Sequence, residues 1–66
     1  MNKTKYRMLF ECTETGYSAF HEDLAVYTTG KDLLELKANS VEALSLYFEE
    51  QAIEIKESQI ELVFHL

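Results

Sequence analysis

Sixty-six residues with 47% hydrophobic character, four tyrosines, four phenylalanines and no proline describe a single folded domain, residues 1–66, and exclude a disordered tail. A net charge of −6 excludes nucleic acid and anionic membrane as direct partners of this segment, because phosphate neutralisation needs clustered lysine and arginine. A basic protein partner suits it better.

A chain this short buries only about 60% of its unfolded surface, so a homo-oligomer, dimer or tetramer, is expected to supplement the core. Cys12 is the one cysteine, which rules out an internal disulfide or a CxxC metal site and points to a reducing compartment. The opening MNKTKYRMLF is too short and too interrupted by charge for a signal peptide or membrane span, so a cytoplasmic protein is expected.

In residues 5–12, Tyr6, Met8, Phe10 and Cys12 alternate with Arg7, Leu9 and Glu11, the pattern of a strand with one buried face. Residues 13–16 read as a tight turn in which Gly16 supplies a positive φ, and residues 17–21 return as the second strand of an antiparallel hairpin. Glu22 and Asp23 interrupt the apolar run before a third strand over residues 24–29.

The segment 28–51 has the clearest helix start. Asp32 can accept from the free N–H groups of the first turn, Glu35 three positions on completes a capping box, and Gly30 lets the strand turn sharply into the helix. Leu33, Leu34, Val41, Leu44 and Phe48 share the expected core face, widened by Leu36, Ala43 and Tyr47, while Glu35, Glu42 and Glu49 recur on the opposite side. Lys37 falls inside the apolar arc and Leu46 inside the polar one. A competing reading makes residues 34–38 a strand, with the helix starting at Asn39 or Ser40.

Residues 52–55 read as a frayed last turn or the start of a linker, and 56–59 as a polar loop. In the last segment Ile60, Leu62, Phe64 and Leu66 alternate with Glu61, Val63 and His65, giving a final strand. The fold class is α+β in the order β-β-β-α-β: an antiparallel three-stranded meander, one helix on a face, and a last strand returning parallel to the first.

Few residues promise chemistry. Cys12 lies on the expected buried face without a cationic neighbour, which favours a core residue over a nucleophile. His21 and His65 lack the spacing of a zinc site built on one element. Glu11, Glu42 and Glu61 would matter in a cut-down ribonuclease H-like nuclease, which gathers carboxylates around Mg²⁺, yet all three fall on expected outward faces. There is no phosphate loop, triad or basic aromatic stripe, so no catalytic residue, metal or cofactor is expected. The stripe of Glu35, Glu42 and Glu49 is either a solvated helix face or a contact for a cationic partner. Tyr17, Phe20 and Tyr27 pack in the sheet, or act as binding anchors if they lie on an uncovered face.

The runs TETGYSAFHEDL and TTGKDLLELKANSVEALSLYFEE resemble the N-terminal domain of the HicB family of antitoxins. The likeness lies in Gly16, Tyr17, Ala19 and Phe20, then Asp23 and Leu24, the Thr28 and Gly30 turn, the Asp32 cap, and Glu42, Ala43, Leu44, Leu46 and Tyr47 near the helix end. It covers nearly the whole chain, with two departures. Ala25 and Val26 stand where family members commonly carry Pro-Gly, with one residue fewer, and no DNA-binding segment follows Leu66, as in a partial member or a truncated one.

The resemblance implies a degraded ribonuclease H-like domain that is not a nuclease. Such a domain would bind a small basic HicA-type toxin, an RNA-cleaving protein, and occlude it. The expected partner-binding residues are Glu35, Glu42, Glu49, Tyr17, Phe20, Asp23 and Tyr27. The alternative is a self-associating structural or regulatory module with an unrelated partner, served by an exposed flank of Leu36, Ala43, Leu46 and Tyr47.

Overall fold

The computed structural model describes residues 4–65 and has the expected α+β architecture. Strands β1 (Tyr6–Thr13), β2 (Gly16–His21) and β3 (Tyr27–Gly30) form an antiparallel meander. Helix α1 (Leu33–Tyr47) follows, and β4 (Ile60–Phe64) returns beside β1. The sheet order is β3-β2-β1-β4, with β4 parallel to β1 in the register Tyr6 opposite Ile60 through Phe10 opposite Phe64. Leu66, expected in the last strand, lies outside the described residues.

The two glycines are what let the helix start so close to the sheet. Gly16, at φ +152°, closes the two-residue hairpin opposite Thr13, and a Cβ there would meet the Lys31 backbone at 2.9 Å. Gly30 ends β3 opposite Tyr17, and a Cβ on it would lie 2.6 Å from the Leu36 backbone nitrogen. Its role is close approach rather than an unusual φ.

Asp32 caps the helix as expected, its Oδ1 accepting the Glu35 N–H at 2.8 Å. The reciprocal half of the box is displaced by one residue: the Glu35 carboxylate accepts the N–H of Lys31 (2.6 Å), not that of Asp32. Residues 34–38 are helical, which removes the competing strand.

The face that α1 buries holds most of the expected residues but is rotated away from Leu33, Leu34 and Tyr47, which are exposed. Leu36, Ser40 and Leu44, an i, i+4, i+8 row, are fully buried, with Val41, Ala43 and Phe48 packed at the edges, whereas Leu33 and Leu34 are exposed. The centre of the row is Ser40, a polar residue outside the apolar pattern, whose hydroxyl satisfies itself by donating to the Leu36 carbonyl at 2.8 Å. Lys37 is half-buried at the edge of the same face, where its stem can lie along apolar neighbours.

Opposite the helix row, Tyr6, Met8, Ala19 and Ile60 complete the core, joined by Val26 and Ile55 from the flanking loops. The Tyr6 ring meets Phe48 at 5.9 Å. Ala19 on β2 is fully buried in the same core.

The third strand is shorter than expected. Residues 22–25 form a loop organised by His21, whose Nδ1 accepts the backbone N–H groups of Asp23 (3.1 Å) and Leu24 (3.2 Å) while the His21 backbone N–H donates to the Val26 carbonyl (3.1 Å). An imidazole that satisfies two backbone donors removes their need for a strand partner. After α1, a 3₁₀ turn (Glu49–Gln51) ends at Ala52 in the left-handed region at φ +55°. Residues 53–56 then carry Ile55 into the core, and a second 3₁₀ turn (Glu57–Gln59) replaces the expected polar loop. Gln59 accepts the Lys56 N–H (3.0 Å) and donates to the Thr4 carbonyl (3.2 Å), while Lys5 Nζ donates to the Ser58 carbonyl (3.0 Å). These bonds hold the start of β4 against the start of β1 and so fix the parallel register.

Candidate protein-binding surface

The helix covers one face of the sheet. The other carries the alternate set Arg7, Leu9, Glu11, Ser18, Phe20, Tyr27, Thr29, Glu61 and Val63, and no described element packs on it. Pairing places Tyr27 beside Phe20, Phe20 beside Leu9, and Leu9 beside Val63, a single apolar row crossing all four strands. Leu9, flanked across the strands by Phe20 and Val63, is only 8% exposed although no described element lies over it. Tyr27, at the edge, is 67% exposed. Phe20 is half-buried and meets the His65 ring edge-on at 5.5 Å.

The residues expected to bind a partner fall into three places. Phe20 and Tyr27 lie on this uncovered face, and Asp23 is exposed in the loop joining their strands. Tyr17 and Glu35 line a groove of about 430 Å³ between the hairpin end and the start of the helix, with Thr13, Thr29, Lys31 and Asn39. That groove's polar groups serve the fold, since Glu35 bonds to Lys31 and Asn39 Nδ2 donates to the Thr29 carbonyl at 2.7 Å. Glu42 is exposed on the helix and Glu49 lies beyond its end in the 3₁₀ turn, so the three glutamates do not form one continuous stripe.

Leu9 and Val63 were missed as candidates. Both are apolar at outward positions of their strands, and that misplaced hydrophobicity was the available signal. Cys12, expected in the core, is exposed, as is Phe64 (51%), because at the hairpin end α1 starts beside β3, two strands away from β1. Phe64, Phe10 and Tyr17 still form a ring cluster there, with centroids 5.4 Å and 5.9 Å apart. The apolar flank proposed for self-association does not exist as a patch, since Leu36 is fully buried and Ala43 is half-buried, leaving Leu46 and Tyr47 exposed.

Glu11 and Glu61 lie on the uncovered face, whereas Glu42 belongs to the helix on the other side, so the sheet separates the carboxylates that a nuclease reading would gather. No group of three or more metal-capable side chains occurs among the described residues. No described helix is long and apolar enough to cross a membrane. Comparison with known proteins gives no match to a protein-family model, a curated protein or a solved structure.

Proposed function

We propose that this chain is a non-catalytic, cytoplasmic antitoxin module of the HicB type, which binds and occludes a small basic RNA-cleaving toxin of the HicA type. The observation that carries the reading is the placement of charge. Eleven of the twelve carboxylates are exposed, with only Glu35 half-buried, on a chain of net charge −6. Such a surface attracts a cationic protein over a distance of about 10 Å at moderate salt and repels the RNA that the toxin would otherwise hold. By presenting carboxylates where the toxin expects phosphates, the module competes for the toxin's substrate-binding surface.

The β-β-β-α-β sheet and the ordered residues from Gly16 to Tyr47 support the same reading. Co-expression tests it in cells: a HicA-type toxin that arrests growth alone is expected to permit growth when this chain is produced with it. Arrest that persists while the chain accumulates in folded form would overturn the proposal.

A further inference from the structure

We propose that the uncovered sheet face is the surface on which this chain takes its partner, and that the partner presents an apolar centre ringed by lysine or arginine side chains. The inference rests on the antitoxin reading for the partner's basic character and goes beyond it in assigning the surface.

The row Tyr27, Phe20, Leu9 and Val63 spans roughly 15 Å across four strands, with one end fully open at Tyr27. Its surroundings are acidic. Glu11 lies two residues along β1 from Leu9, Glu61 lies opposite Arg7 on the other side, and Glu22 and Asp23 are exposed in the loop between Phe20 and Tyr27. Two carboxylates, Glu11 and Glu61, therefore share the face with the Arg7 guanidinium, and two more are exposed in the loop at its Tyr27 edge. An apolar centre with a charged rim is the anatomy of a protein interface, and the aromatic faces of Phe20 and Tyr27 can also receive an arginine. A second copy would lay row on row but bring the same carboxylates against their like, and RNA would meet the same repulsion. A cationic protein surface gains from both the row and its rim.

The test is the affinity of the full chain for a purified HicA-type toxin, measured by calorimetry with sedimentation of the chain alone alongside. Tyr27→Ala, which removes an exposed side chain from an edge strand, is expected to weaken binding by about tenfold or more. Glu11→Lys is expected to weaken it and flatten its salt dependence, while Leu34→Ala on the exposed helix surface stays within about twofold of the parent. A parent that binds while Tyr27→Ala binds equally well overturns this inference and leaves the antitoxin reading standing. A parent that does not bind at all overturns both. A parent dimer that becomes monomeric on Tyr27→Ala overturns the inference in favour of a second copy as the occupant.

Discussion

Ser40 sits at the centre of the buried helix face with no exposed surface, yet its hydroxyl bonds only to the Leu36 carbonyl one turn back. That carbonyl is also the ordinary acceptor for the Ser40 backbone N–H, so the side-chain bond adds little to the fold. Ser40→Ala is therefore expected to leave stability within about 0.5 kcal/mol of the parent or to raise it, as read from urea unfolding. A loss above about 1 kcal/mol would show that the hydroxyl bond contributes to the fold.

Gly30 predicts the opposite. A methyl group there meets backbone at 2.6 Å and 2.7 Å, which no side-chain rotation relieves, so Gly30→Ala is expected to cost about 1–3 kcal/mol. An unchanged midpoint would mean that the helix start is free to move off the sheet. Both residues carry a lesson about legibility. Gly30 was recognisable as a turn residue from its place before the Asp32 cap, but its contact with Leu36 depends on tertiary approach that local spacing does not encode. Ser40 was invisible to a hydrophobicity pattern because it is polar by type and buried by position.

At the level of elements, β1, β2, α1 and β4 were legible because each has a strong period and a defined end: Gly16 for the hairpin, Asp32 for the helix, and the alternation from Ile60 for the last strand. The third strand starts three residues later than expected and ends one later, because the His21 imidazole accepts the two N–H groups that would otherwise call for a strand partner. His21→Phe keeps a ring but removes that acceptor. It is expected to destabilise by about 1 kcal/mol and to speed amide exchange at Asp23 and Leu24 selectively. Uniform exchange rates across the loop in parent and variant would argue that the imidazole does not organise it.

The helix position also explains Cys12. Alternation along a strand tells which side a residue faces, while burial depends on where the covering element lies, and at the Cys12 end α1 starts beside β3, two strands away from β1.

Across the described residues, one sheet face is closed by α1 and no element packs on the other. The sequence placed Phe20 and Tyr27 in strands without deciding which face each would occupy. The pairing of β1 with both β2 and β4 brings Leu9 and Val63 into line with them. That row has Glu11 and Glu61 on its own face, on a chain with eleven exposed carboxylates and a net charge of −6. Affinity for a basic toxin should accordingly fall as ionic strength rises, mostly through a slower association rate. Salt-independent association would point to a purely apolar contact.

The central claim is that the chain silences a toxin by occupying it. The direct measurement is RNA cleavage by a purified HicA-type toxin as this chain is added. The account predicts that cleavage falls to background near one chain per toxin and stays there with Mg²⁺ present; cleavage undiminished at a large excess of folded chain would contradict it.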